Sequence, residues 1–388
     1  MKFSLFSIGQ VWKDLRVFDS LNEDESSIVF YAENKASMNH FKALIFELTE
    51  KLHLNICYVT SVKDDLIFSN KNSRIKSFYV GDGAARTKFF LTLKSKILIM
   101  DMPDLEKFHI KRSKISPVHY IYVFHSMFSV HSYLRKGAVD NYDTIFCVGP
   151  HHINEIKESE KVYGLKPKKL ISYGFPRLDF LLEQRNHYET SSQNPDNLVI
   201  IAPSYGETNL LKMCGIELIE ILLKSNFKVL LRPHFKIFKD SEKLINDIKN
   251  KFGKNSNFVL ETGVIPSDQF HSSVCMISDW SGISLEYAFT FERPVIFIDV
   301  PKKILNPNSS DISFEPIEIS IRNKIGNVVS LNNLDIIPNL IISSKKDDKK
   351  IAEEIKSIRS QTVFNLRNSA NVGANYIKQL LEELKNQT

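Results

Sequence analysis

Ser278-Asp279-Trp280-Ser281-Gly282-Ile283-Ser284-Leu285-Glu286-Tyr287-Ala288 is the stretch on which the reading of this chain turns. An apolar, strand-like run (274–277) leads into it, and a helix-like run follows. Ser281 stands where an N-cap is expected, and Gly282 lets a ligand approach the main chain. A strand, a Ser/Gly turn and a helix N-terminus form an anion site, because open amides and the helix dipole face one point. Glu286, five residues after Ser281, is spaced to take the ribose hydroxyls of a nucleotide whose phosphates rest on the turn. A capped helix packed on a sheet, with no ligand, accounts for the same residues equally well.

Outward from this stretch, strand-like and helix-like segments alternate, which predicts a parallel α/β architecture. In the first half, strands are expected at 27–31, 55–60, 77–80, 96–100, 120–124 and 144–148. A helix at 38–52 carries Phe41, Leu44, Ile45, Leu48 and Leu52 on one face, and another helix spans 151–163. In the second half, strands are expected at 198–202, 228–231, 258–260, 274–277 and 294–298. Helices at 209–223, 240–252, 267–271 and 281–291 lie between them. The polar stretch 183–197 reads as a linker. The expected division is therefore an N-terminal Rossmann-like domain at 1–182 for the acceptor, a C-terminal Rossmann-like domain at 198–345 for a nucleotide donor, and a helical tail at 346–388. Two Rossmann-like halves with a helical tail describe the GT-B architecture. Its site is expected in the interdomain cleft, at the carboxyl ends of the strands.

The chain has 388 residues, 43% of them hydrophobic and 25% charged, an ordinary globular balance large enough for two cores. A net charge of +6 without a long Arg/Lys block excludes a nucleic-acid signature. The mild excess suits a phosphate-bearing ligand or peripheral contact with an anionic membrane surface. Cys57, Cys147, Cys214 and Cys275 are scattered, so buried thiols in a reducing compartment are expected and structural zinc is not. The N-terminus lacks the features of a secretory signal, and no run approaches the ~20 apolar residues of a membrane span. A cytoplasmic protein is expected, with the inner face of the plasma membrane as its place of peripheral contact.

The remaining motifs sit at expected strand ends. Arg232-Pro233-His234 follows a strand, where a ring N–H and a guanidinium fork suit a phosphate. Ser204 and Gly206, in the loop after residue 202, could add a hydroxyl and an amide. His125 and His131 flank Ser126 and Ser129 after another strand, which suggests acid/base work on an alcohol. His151-His152 reads as capping or surface, and Tyr173-Gly174-Phe175-Pro176-Arg177-Leu178-Asp179 as a structural turn. Gly81-Asp82-Gly83 lacks a third glycine and is a weak phosphate-loop signal.

In order and placement these motifs resemble the CDP-glycerol glycerophosphotransferase family of teichoic-acid primases and polymerases, in a divergent capsule or surface-glycan branch. Phe124-His125-Ser126 stands where that family has Trp-His-Gly, and Gly174-Phe175-Pro176-Arg177-Leu178-Asp179 matches its Gly-Tyr-Pro-Arg motif. Arg232-Pro233-His234, the opening stretch and Arg293-Pro294-Val295-Ile296-Phe297 complete the series across about 118–300. The resemblance implies a transferase that moves glycerol phosphate or a related alditol phosphate from a CDP-activated donor. The acceptor is a hydroxyl of a surface glycan or lipid-linked molecule, and neither metal nor cofactor is required. It implies His125 as the base; His131 stays the other candidate on the reading of the residues alone. His234, Ser281, Gly282 and Ile283 would hold pyrophosphate and Glu286 the ribose, with Ser204, Gly206, Arg232 and Asp279 in the same donor set. Ser126 replaces a glycine of the family pattern and Gly282 replaces a serine. These departures leave open a GT-B glycosyltransferase using a CMP- or UDP-sugar. A catalytically silent GT-B scaffold is the alternative outside enzymes.

Overall fold

The computed structural model describes residues 5–189, 197–261, 267–302 and 305–386. The chain divides into two compact units. The first comprises residues 1–179, 306–313 and 363–388, and the second comprises 180–305 and 314–362.

The first unit is built on a seven-stranded parallel sheet. Its strands are β1 (Ile28–Ala32), β2 (Ile56–Thr60), β3 (Ile75–Tyr79), β4 (Ile97–Met100), β5 (His119–Val123), β6 (Thr144–Cys147) and β7 (Lys169–Ser172). They are ordered β3-β2-β1-β4-β5-β6-β7. β1, β2 and β4 are buried along their whole length. Helices cover both faces of a parallel sheet, so its central strands read as continuous apolar runs, and that is why the sequence exposes them. β7 is half-exposed at the sheet edge and carries no such run, so it escaped the sequence reading.

The second unit holds a six-stranded parallel sheet of β8 (Leu198–Ala202), β9 (Lys228–Leu231), β10 (Phe258–Leu260), β11 (Ser273–Ser278), β12 (Val295–Ile298) and β13 (Gly326–Val329). The order is β10-β9-β8-β11-β12-β13. One core cluster joins Val199, Ile201, Leu218, Leu222, Leu231, Ile277 and Ile296. β13 is the second strand missed by the sequence reading, again at an edge. It pairs so closely with β12 that a Cβ on Gly326 would stand 1.7 Å from the Val295 carbonyl oxygen, so only glycine fits there.

Several boundaries differ from expectation. The helix Leu5–Asp19 precedes β1, and its Asp14 carboxylate accepts the Tyr79 amide. Residues 183–189 of the expected linker continue the helix Pro176–Glu189, while 190–196 lie outside the described residues. The tail is two helices, Asp348–Thr362 in the second unit and Ser369–Asn386 in the first. Asp179 anchors the latter by accepting the amides of Arg367 (2.6 Å) and Ser369 (3.1 Å). Gly174, at φ +105°, lies where a Cβ would be 2.4 Å from the Phe364 carbonyl oxygen. The Gly-Phe-Pro-Arg-Leu-Asp turn is thus a dock for the tail. No described helix is long and apolar enough to cross a membrane, and all four cysteines are buried thiols.

Candidate functional site

Each sheet reverses its strand order at one point, between β1 and β4 in the first unit and between β8 and β11 in the second. Crevices outside the carboxyl ends of strands at such points are where α/β sheets bind ligands. The candidate residues of each unit gather near these ends.

In the first unit, Asp101 directly follows β4 and is buried. Its carboxylate accepts the Ser37 hydroxyl at 3.0 Å, and its main-chain carbonyl takes a hydrogen bond from the His125 imidazole. That bond fixes the ring and leaves the other nitrogen to act as a base. Burial lowers the His125 pKa below the ordinary 6.5, against the opposing effect of the Asp101 carbonyl, so the ring is neutral at pH 7. His40 and Tyr133 flank it. The His40 and Tyr133 rings each lie 6.2 Å from the His125 ring, centroid to centroid. Arg177 is near enough to help depress the His40 pKa, after burial and His125. Sequence reasoning missed Asp101, Ser37 and His40, because each lies on a different element from His125.

His131 is placed differently from its expected acid/base role. It is buried, with Nδ1 3.1 Å from Glu155 Oε2 and its carbonyl accepting the Asn306 side chain. The same Glu155 oxygen accepts the Val130 amide at 2.6 Å. His151 and His152 are likewise neither caps nor surface. They donate to the Met127 and Phe128 carbonyls at 2.9 and 2.8 Å, and His152 Nδ1 accepts the Val148 amide. Burial holds His151 down at about 4 and His152 well below the ordinary range, so both stay neutral. Three side chains of the helix Pro150–Tyr163 therefore grip the loop that follows His125.

Burial also pushes Asp101 up to about 7, opposed by the Ser37 bond. A carboxyl whose folded pKa is raised favours the fold when protonated. Its contribution is complete below pH 4 and is lost as pH rises through 7. Asp101→Asn is therefore expected to melt higher than wild type at pH 8, with the difference closing near pH 4. Thermal melts across that range check the sign.

In the second unit, Asp279 follows β11 and faces the loop after β8. Its two oxygens accept the Ser204 amide at 2.7 Å and the Leu210 amide at 2.8 Å, and it is only 2% exposed. Asp279 was expected among the donor contacts, but both of its oxygens are engaged in pinning the 203–209 loop. That loop holds Ser204, buried, and Gly206, at φ +128°. Its Tyr205 ring meets the His234 ring at 4.7 Å, and the Lys236 ammonium lies 4.3 Å from the same tyrosine ring. Tyr205 and Lys236 extend the expected set; Lys236 is two residues from His234 in sequence, and the fold brings Tyr205 beside it. His234 Nδ1 accepts the Lys236 amide, so the ring proton sits on Nε2, where it can be donated to a phosphate oxygen. Arg232 lies near Phe270 and Glu261.

The helix Ile283–Phe291 starts one residue after Gly282, and Ser281 does not cap it. The Ser281 carbonyl instead accepts the Ser284 amide and hydroxyl. The helix has no side-chain cap, which leaves its first amides for an anion. Ile283 and Glu286 are half-buried on its first turn. Behind the turn, Trp280 donates to the Val300 carbonyl and lies under the buried Arg322 guanidinium, 4.3 Å away. Arg322 also bonds Asp299 at 3.0 Å, holding the turn from the side of β12. Among the described residues, no three His, Cys, Asp or Glu side chains converge as metal ligands.

Comparison with known proteins agrees with this fold. The fold is similar to a variant of the wall teichoic acid polymerase TagF, with TM-score 0.58 and 13% identity over 98% of this chain and 95% of that one. The same variant soaked with CDPG matches at 0.58 and 14%, with the same coverage. UDP-GlcNAc 2-epimerase from Neisseria meningitidis bound to UDP-GlcNAc matches at 0.55 and 13%, over 92% of this chain and all of that one. Both units thus belong to the GT-B architecture. No curated protein sequence matches this chain. The family model for CDP-glycerol:poly(glycerophosphate) glycerophosphotransferase matches residues 15–303, and the chain belongs to that family.

Proposed function

We propose that the protein transfers an alditol phosphate, glycerol phosphate foremost, from a CDP-activated donor to a hydroxyl of a surface glycan or lipid-linked acceptor. The observation that carries this reading is the neutral His125, oriented by the Asp101 carbonyl, in a member of the glycerophosphotransferase family. The acceptor hydroxyl gives its proton to His125 as its oxygen bonds the phosphorus that bears the alditol. The bond from that phosphorus to the bridging oxygen breaks, and CMP leaves with the electron pair. Such transfer depends mainly on positioning and charge neutralisation. His234 Nε2 and the amides of Gly282 and Ile283 supply the neutralisation, with Ser204, Gly206, Ser281 and Arg232 lining the donor phosphates. Glu286 takes the ribose.

A sugar nucleotide as donor is the second reading. It rests on Gly282, which lacks the hydroxyl expected at that position of the turn. A thermal-shift series with CDP-glycerol, CDP-ribitol, CDP, CMP-sugars and UDP-sugars separates the two, because a ligand that binds only the native state raises Tm. CDP compounds are expected to raise Tm, and His234→Ala is expected to weaken CDP binding roughly tenfold, the loss of one charge-assisted bond. Shifts with UDP- or CMP-sugars alone would replace phosphotransfer with glycosyl transfer.

A further inference from the structure

Beside His125 stands a second histidine that the proposed reaction does not yet use. His40 lies on the helix Met38–Phe46, is only 9% exposed, and has no hydrogen-bond partner at Nδ1 among the described residues. A buried polar nitrogen left unpaired is costly, and such atoms call for a reason. The contrast with His152 is direct, since that ring satisfies both of its nitrogens. His40 packs instead at the edge of His125, at an interplanar angle of 64°, and near Phe175, with Arg177 close by. Ser37, three residues earlier at the end of the turn that leads into this helix, bonds the carboxylate of the residue whose carbonyl orients His125. One turn of chain therefore faces both the base and its support.

We propose that His40 is a second substrate-touching imidazole of the transfer site, hydrogen-bonded to the acceptor hydroxyl whose proton His125 takes. Two ring nitrogens each about 2.8 Å from a shared oxygen fit rings at the observed 6.2 Å separation. His40 keeps its own proton throughout. Burial, His125 and Arg177 hold its pKa at about 3, so the acceptor's proton goes to His125 alone. His40 then sets the direction of the attacking lone pair and the affinity for the acceptor. This inference rests on the transfer reading above.

The test compares His40→Phe, which keeps a ring against Phe175, with His40→Asn, which keeps a polar group. With CDP-glycerol and a varied acceptor, His40→Phe is expected to lose about 100-fold in acceptor kcat/KM. The CDP-induced Tm shift should stay unchanged, and His40→Asn should keep more than a tenth of the wild-type value. Wild-type acceptor kinetics in His40→Phe would overturn the proposal. If the wild-type protein transfers nothing, the transfer reading fails, and His40 is judged by NMR of ¹⁵N-histidine protein titrated with glycerol 3-phosphate. The same titration decides if His40→Phe does not fold. Movement of both the His40 and His125 signals supports the shared site. Movement of His125 alone, or of neither, overturns it.

Discussion

Replacing His125 with alanine is expected to lower transfer by about 10³-fold while CDP raises Tm as it does in the wild-type protein. The size follows from the loss of a positioned general base, which contributes ~10²–10⁴. The separation of binding from chemistry follows from the division of labour proposed above, with the base in the first unit and the phosphate contacts in the second. His125 is held by the Asp101 carbonyl, so alanine removes a base without unsettling a strand. The pH dependence carries a sign as well. A base must be unprotonated to act, so acceptor kcat/KM rises through the His125 pKa. Burial places that pKa below 6.5, so the acid limb should lie below the position of a solvent-exposed histidine. Turnover near wild type in His125→Ala, with the protein folded, would remove His125 from the chemistry.

Asp279→Ala is the second large effect, and it is expected in stability before binding. The carboxylate satisfies two buried amides, those of Ser204 and Leu210. Removing it leaves both donors unpaired, at about 1–3 kcal/mol each, so a loss of roughly 4 kcal/mol is expected from chemical denaturation. The 203–209 loop then loses its anchor at the switch point, and CDP affinity falls as a consequence. Asp279→Asn should lie between the two, because an amide oxygen can serve one of the two donors while its NH₂ opposes the other. A direct ligand contact would behave differently, with apo stability unchanged and only CDP binding weakened. Denaturation midpoints of the apo proteins distinguish the two outcomes.

The residues near one another in sequence were the legible part of the site. His125, His234 and the 278–286 turn follow strands, and strand ends in a parallel sheet are recognisable from apolar runs closed by polar residues. The supporting residues were not legible. Asp101 lies 24 residues before His125, and Ser37 and His40 lie on a helix after β1. Their meeting depends on β4 pairing between β1 and β5, an ordering that no local pattern encodes. His131, His151 and His152 carry the same chemistry as His125, and spacing alone could not tell a base from a brace. Burial and partners separated them, since each of the three is engaged with the loop or with the helix beneath it.

By itself, the sequence determined two parallel α/β units, their strand ends, and the family to which the motifs belong. Continuous apolar strands are a local consequence of burying both faces of a sheet. Only the tertiary structure decided that Asp279 holds a loop and that His40 stands beside His125. Those outcomes depend on which strands become neighbours, and hydrogen bonds between segments tens of residues apart exist only once that order is set.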